Sequence, residues 1–315
     1  MRKFILAMVL TLNATLALAQ DSQTAYNFLR LPVGAHATAL GGDNITLIED
    51  DPTLMFNNPA LLSSVSDKTI GLNFMTYMQG SKTASASFSR VAGDKASWGV
   101  TAQYVDYGSM KETDMFNTEK GEFSAKDIAV SGVFSYELAE RIVGGISAKF
   151  ITSYIGEYNS IAVGVDLGVN YYHPDKELSL SVAARNLGGQ LSAYHEDFER
   201  MPIDVQIGAT KRLKGSPLRF SASLVDMTHL NYKFINHLVV GADLLLGQNI
   251  WVGGGYNFRR AKEMTLNSGD DNESSHGAGL SLGAGINLER FKLNLAYAKY
   301  HVSSSSIVIN LALSI

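Results

Sequence analysis

From Thr69 to Ile315 apolar residues return at every second position through segment after segment, the spacing of a β-strand with one face in an apolar environment. The clearest run is Ile161, Val163, Val165, Leu167, Val169 and Tyr171, interleaved with the small or polar Ala162, Gly164, Asp166, Gly168 and Asn170. Ala84, Ala86 and Phe88 alternate with Ser85, Ser87 and Ser89, and Leu280, Leu282, Ala284, Ile286 and Leu288 alternate with Gly279, Ser281, Gly283, Gly285 and Asn287. Ile307, Ile309, Leu311, Leu313 and Ile315 close the chain in the same way. The pattern predicts strands near 69–78, 82–91, 96–107, 124–137, 141–154, 159–172, 178–186, 202–213, 218–226, 238–246, 250–259, 277–288, 291–300 and 304–315. Most run about ten residues, the length with which a tilted strand crosses a bilayer, whereas strands of soluble domains usually run about five or six.

The connections sort by length. After every even-numbered strand they are brief, as at Ala92 to Lys95, Leu138 to Glu140, His173 to Lys176, Lys214 to Pro217, Gly247 to Asn249 and Glu289-Arg290. The long ones, Gly108 to Phe123, Leu187 to Met201, Met227 to His237 and Arg260 to His276, all follow odd-numbered strands. Short turns at one rim and long loops at the other are the habit of outer-membrane barrels, and only a closed barrel can place strands in lipid with every edge amide paired. The sequence therefore predicts an all-β fold: a 14-stranded antiparallel transmembrane β-barrel over 67–315 in the outer membrane, in contact with its lipids. The abundance of glycine (29), tyrosine (14) and phenylalanine (14) against six prolines suits long paired strands.

The start of the chain fits export. Met1-Arg2-Lys3 is a basic head, Phe4 to Leu16 is apolar, and Ala17-Leu18-Ala19 has the small-x-small cleavage pattern, so 1–19 reads as a signal peptide and Gln20 as the first mature residue. An uncleaved anchor fits less well, because Thr11, Asn13 and Thr15 interrupt the apolar run. There is no cysteine, which excludes disulfides, thiolate metal sites and a lipidated N-terminal cysteine. A formal charge of −4 without a basic cluster argues against nucleic acid as a partner.

Between export signal and strands, Ala35 to Val65 differs from the rest. Ala35, Ala37, Ala39 and the Gly41-Gly42 pair keep side chains minimal, and Asn58-Pro59-Ala60 has the form of a helix entry, with Asn58 as N-cap and Pro59 as first helical residue. Fourteen strands leave a bore that their own side chains do not fill, so 20–66 is expected to be a plug segment inside it. An ordinary surface loop is the other reading of these residues. With the short turns on the periplasmic side, both the first strand and this leading segment are expected to start there.

Asn58-Pro59-Ala60 after a glycine-rich, acidic lead-in resembles the N-terminal hatch of the long-chain fatty-acid transporter type of barrel. Tyr26-Asn27-Phe28-Leu29 with Leu31-Pro32-Val33, Ala39-Leu40-Gly41-Gly42, Asp50-Asp51 and Asn57-Asn58-Pro59-Ala60-Leu61-Leu62 resemble the PorV/PorQ family of the bacterial type IX secretion system. So do Gly121-Glu122-Phe123-Ser124-Ala125, Ala184-Arg185-Asn186-Leu187-Gly188 and Pro217-Leu218-Arg219-Phe220. The resemblance implies a non-enzymatic component of the cell-surface attachment complex. It also implies a PorV-like barrel, a PorU-like sortase and a PorZ-like lipopolysaccharide-binding protein as partners. The fatty-acid transporter likeness implies the other function, transport of small hydrophobic molecules.

Chemistry-bearing residues are sparse. Ser192, His195 and Asp197 share one predicted loop, but Glu196, Glu199 and Arg200 beside them mark a solvated surface rather than a triad. Glu49-Asp50-Asp51 and Gly269-Asp270-Asp271-Asn272-Glu273 lack the ligand spacing of a calcium loop. No catalytic residue, cofactor or metal is expected. On the polar strand faces Lys149, Asp166, Arg185, Asp204, Arg219, Asp243 and Arg259 alternate in sign, and Lys149, Asp166 and Arg185 are placed to meet. Pairing that closes the bore and independent hydrated charges both fit this pattern. The long loops carry Met110, Met115, Phe116, Tyr194, Phe198, Met201, Tyr232 and Phe234, candidates for docking a protein partner or for a lid folded over the lumen.

Overall fold

The computed structural model describes residues 24–229, 231–247, 249–264, 266–268, 272–274, 277–301 and 304–315; the expected signal peptide lies outside them. The period-two segments form β1 (Thr69–Thr76), β2 (Lys82–Ala92), β3 (Ala96–Thr113), β4 (Glu119–Ala139), β5 (Ile142–Ile155), β6 (Tyr158–His173), β7 (Leu178–Ser192) and β8 (Asp204–Arg212). They continue as β9 (Leu218–Leu224), β10 (Leu238–Leu246), β11 (Ile250–Asn257), β14 (Leu280–Asn287), β15 (Phe291–His301) and β16 (Ser304–Ser314), while β12 (Leu266–Ser268) and β13 (Asn272–Ser274) pair only with each other. The fourteen barrel strands pair antiparallel with their neighbours, and β1 closes on β16 with Leu72 opposite Leu311 and Asn73 opposite Asn310.

One face of each strand points out. Leu72, Phe150, Leu167, Val182, Ile207, Val252, Leu282 and Leu311 are all exposed, and closure gives each of the fourteen barrel strands a neighbour on both sides. A surface of this kind is stable against hydrocarbon and not against water, so the chain is a transmembrane β-barrel of the outer membrane.

The inward faces are polar and small. Asn310 donates to Asn73 (2.7 Å) and Asn294 to Asn310 (2.7 Å), while Trp251 Nε1 donates to Asn294 Oδ1 at 2.9 Å. Trp251 crosses β14 to reach β15, and a Cβ on Gly285 would overlap both the indole and Asn294, which explains a glycine there.

Residues 25–65 lie inside this wall and are mostly buried. Ala25 N donates to Arg200 O at 3.0 Å in the long connection after β7, whereas Lys68 O accepts from Ile315 N at 3.1 Å at the opposite, short-turn rim. The segment therefore runs from rim to rim, and its first described residues sit at the long-loop end rather than on the periplasmic side expected for them. A helix α1 (Ala35–Ala39) and three 3-10 turns, Asn27–Arg30, Pro52–Phe56 and Pro59–Ser64, shape it. At Gly145 a Cβ would overlap the backbone of Ala60, so the wall meets the segment backbone to backbone.

Two connections depart from the expected loops. β3 and β4 run on past the wall as a hairpin, with Met110 opposite Phe123 and Lys111 opposite Glu122 beyond a bulge after Asp106. Both faces of that hairpin are wet, so no apolar alternation marks it in the sequence. β7 likewise continues to Ser192 past a bulge at Arg185 and Asn186, where Asn186 takes φ +58. In the last long connection, helix α2 (Phe258–Glu263) starts at Asn257, whose side chain accepts from Arg260 N.

Candidate functional site

A largely buried ionic cluster ties the segment to the wall. In α1, His36 is 1% exposed; its Nδ1 lies 2.8 Å from Glu49 Oε2 and its Nε2 2.8 Å from Asp243 Oδ2 on β10. Arg219 on β9, opposite Asp243 in register, sits 2.5 Å from both Glu49 Oε1 and Asp243 Oδ2. Trp251 stacks on the imidazole with ring centroids 3.5 Å apart and planes 4° from parallel. Two cations against two carboxylates leave the cluster neutral, the condition under which such charges survive burial. Burial alone would lower the His36 pKa, but Glu49 and the hydrogen bonds to Asp243 and Glu49 raise it above its ordinary value. Burial also opposes the Glu49 carboxylate, yet His36 and Arg219 hold its pKa well below the usual carboxylate range. His36, Glu49 and Asp243 offer ligand atoms within 4.8 Å of one another, as a metal site would, but the Arg219 guanidinium occupies the position a cation would need.

The motif residues of the segment are placed as follows. Gly41 and Gly42 adopt φ +106 and +100, and Gly41 O accepts from Asn257 Nδ2 at 3.1 Å and Arg260 Nη2 at 3.2 Å. Asn58 Oδ1 accepts from Ala60 N at 3.0 Å while its Nδ2 donates to Ile45 O at 3.1 Å, and Pro59 and Ala60 are buried. The acidic run is used internally: Asp50 accepts from Ser66 N at 2.7 Å and pairs with Lys292, and Asp51 caps the Pro52 turn through Thr53 N at 2.9 Å.

Of the three charges expected to meet, two do. Lys149 Nζ is 2.8 Å from Asp166 Oδ2, and both are buried among Ser147 and Asn186. Arg185 instead donates to Leu29 O at 3.2 Å and lies 4.0 Å from Asp43, because the β7 bulge gives the place beside Asp166 to Asn186 N, at 2.8 Å. Alternating signs at 219 and 243 are the only trace in the sequence of the pairing of Arg219 and Asp243 with His36 and Glu49.

At the long-loop rim Met115, Phe116, Phe198 and Phe234 are 89%, 81%, 66% and 71% exposed. Tyr194 and Tyr232 are half-buried, the first leaning toward Tyr26 and the second packed between His229 and His237. Met201 is buried beside Tyr26 and Ile151, and so is no docking residue. Ser192, His195 and Asp197 are exposed, with His195 against the Tyr158 ring. Residues 269–271 lie outside the described residues.

Cavities flank the segment at both rims. One of about 290 Å³ opens at the long-loop rim among Arg30, Asp43, Arg259, Arg260 and Tyr300. One of about 480 Å³ opens at the short-turn rim beside Glu49, Asp51, Trp251 and Lys292. Both are lined mainly by polar and charged groups.

No protein-family model matches the chain, and no curated protein matches it. Among solved structures the chain is similar to the CymD monoaromatic hydrocarbon channel, with a TM-score of 0.60 and 13% identity over 91% of this chain and 98% of that one. It is similar also to the Pseudomonas putida toluene transporter TodX (TM-score 0.57, 12% identity, 90% and 97% covered) and to a Pseudomonas aeruginosa FadL homologue (TM-score 0.56, 11% identity, 90% and 98% covered). The likeness extends over nearly the whole of both chains and establishes the FadL-like barrel fold.

Proposed function

We propose that the protein is a non-enzymatic outer-membrane transporter of small hydrophobic molecules, with residues 20–66 as a plug that keeps the bore shut and 67–315 as the channel wall. The observation that carries this reading is the course of the described part of that segment, from one rim to the other through a barrel whose fold is that of hydrocarbon channels. The segment is held to the wall by ion pairs, hydrogen bonds and buried apolar contacts rather than by continuous strand pairing, as suits a plug. The test is uptake of radiolabelled toluene or octanoate by cells with an intact outer membrane, with and without the protein. Equal uptake would remove the transport reading.

A second reading is favoured by the rim and by the polar cavities. Exposed Met115, Phe116, Phe198 and Phe234 offer anchors of the kind that protein interfaces use, and a charged interior is not an obvious path for a neutral hydrocarbon. In this reading the barrel scaffolds the attachment complex of type IX secretion, with PorZ-like, PorU-like and PorV-like proteins at the long-loop rim. Co-purification from detergent-solubilised outer membrane separates the two: a sortase or surface protein in the eluate supports scaffolding, and bound small amphiphile without protein supports transport.

A further inference from the structure

Lys211 stands where a charge is unfavourable. On β8 Ile207, Ala209 and Lys211 alternate with the buried Gln206, Gly208 and Thr210, so the lysine side chain leaves the wall on the lipid side. Across the sheet it lies opposite Leu178 on β7 and Phe220 on β9, and no carboxylate among the described residues is within ion-pair distance of it. An ionisable side chain facing lipid is tolerated where its stem can reach the headgroups. β8 ends at Arg212, beside the short turn, so the Lys211 ammonium reaches the headgroup level of the periplasmic leaflet.

Next to it, on the side away from the turn, the wall is hollow. A cavity of about 480 Å³ opens toward lipid over β6 to β10. Its floor is Ala209 and Ala222, partners in register. Their side chains are too small to fill the space between Tyr171 and Leu180 on one side and Ile207, Leu224 and Leu238 on the other. A lipid-facing hollow of this kind is an apolar bed, and hydrocarbon laid in it recovers the dispersion contacts that an empty one forfeits. The bed runs from Lys211 toward the middle of the membrane, the direction an acyl chain takes from its phosphate.

Charge selects the headgroup. This turn carries Lys211, Arg212 and Lys214, Glu177 beside it is engaged by Arg212 at 3.2 Å, and Asp175 and Lys176 in the neighbouring turn cancel. The excess is positive, which favours a head whose only charge is its phosphate over one that adds an ammonium.

We infer that this hollow binds an anionic phospholipid of the periplasmic leaflet, one acyl chain lying over Ala209 and Ala222 and the phosphate meeting Lys211. The site depends on the barrel and its membrane, and not on what passes through the bore or docks at the long-loop rim.

Native mass spectrometry of the full-length barrel, released from detergent after titration with dioleoyl phosphatidylglycerol or dioleoyl phosphatidylethanolamine, tests it. One phosphatidylglycerol is expected to be held about tenfold more tightly than phosphatidylethanolamine, and Lys211→Gln to remove that preference, the loss of one charged hydrogen bond. Ala222→Phe fills the bed and should weaken both lipids, while Lys95→Gln, at the same rim on the turn between β2 and β3, should change neither. Heat-modifiable gel mobility confirms that each variant is folded, and Lys211→Gln, at an exposed side chain, carries the test if Ala222→Phe is not recovered as a barrel. Equal retention of the two lipids by the parent, or a folded Lys211→Gln that binds phosphatidylglycerol like the parent, would overturn the assignment. An equal loss in Lys95→Gln would also overturn it, by reducing the effect to general rim charge. So would a parent dimer that Ala222→Phe dissociates, which would give the hollow to a second copy of the chain.

Discussion

His36 Nε2 lies 2.8 Å from Asp243 Oδ2, joining the segment inside the bore to the strand that faces it. Asp243 also accepts from Arg219 Nε at 3.0 Å, so the contact is one corner of a four-residue cluster that both tethers the segment and neutralises the wall. Replacing Arg219 by Met leaves the buried Asp243 carboxylate and the partly buried Glu49 carboxylate with one imidazole between them. We expect a loss of about 3–5 kcal/mol, the cost of stripping one partner from a buried pair, seen as a lower urea midpoint for the folded barrel. Arg219→Met with Asp243→Asn should recover much of it.

The same cluster sets a pH window. A raised His36 pKa means that its contribution is complete below its ordinary value of 6.5 and is lost as pH rises through the higher folded value. A depressed Glu49 pKa means that its contribution is complete above 4.5 and is lost as pH falls through the lower folded value. The segment is therefore held most firmly between about pH 4.5 and 6.5, and raising the pH above that window should loosen it. Trp251 stacks on His36, so its emission in a Trp98→Phe background should change with the same midpoint, above 6.5. His36→Gln should abolish that transition, and a transition that survives would place the titrating group elsewhere.

Lys149 and Asp166 make a second buried pair, 9% and 2% exposed at their side chains. Lys149→Met strands the carboxylate and is expected to cost about 3 kcal/mol, whereas Lys149→Met with Asp166→Asn keeps the Ser147 and Asn186 contacts and should cost less than half as much. Thermal midpoints of heat-modifiable gel mobility report both.

At the rim, Met115→Ser, Phe116→Ser, Phe198→Ser and Phe234→Ser remove exposed side chains, so stability should stay within about 0.5 kcal/mol of the parent. If the barrel scaffolds a surface complex, the quadruple variant should lose its partner in pull-downs from solubilised membrane. Retention of the partner would move the contact to the short turns or the wall.

The wall was legible in the sequence because lipid on one side and a polar bore on the other impose period two on nearly every strand, from Ile161–Tyr171 to Ile307–Ile315. The sorting of loops by length gave the two rims for the same reason: the chain must return at alternate ends. The extensions of β3, β4 and β7 were hidden, since outside the membrane both faces meet water. Lys149 and Asp166 were predictable because β5 and β6 are adjacent and in register, with Ser147 opposite Asp166 and Lys149 opposite Gly164. Arg185 was misplaced because a single bulge in β7 reassigns it. His36, Glu49, Arg219 and Asp243 come together only when α1 is docked on β9 and β10, a relation that no local spacing records.

The central claim is that residues 24–66 close the bore, and planar-bilayer conductance tests it directly. The full-length protein should be silent or nearly so at pH 6, and deletion of 35–65 with the flanking residues retained should give a stable, ohmic channel from a barrel of unchanged heat-modifiable mobility. Equal conductance from the two proteins, whether both open or both closed, would contradict it.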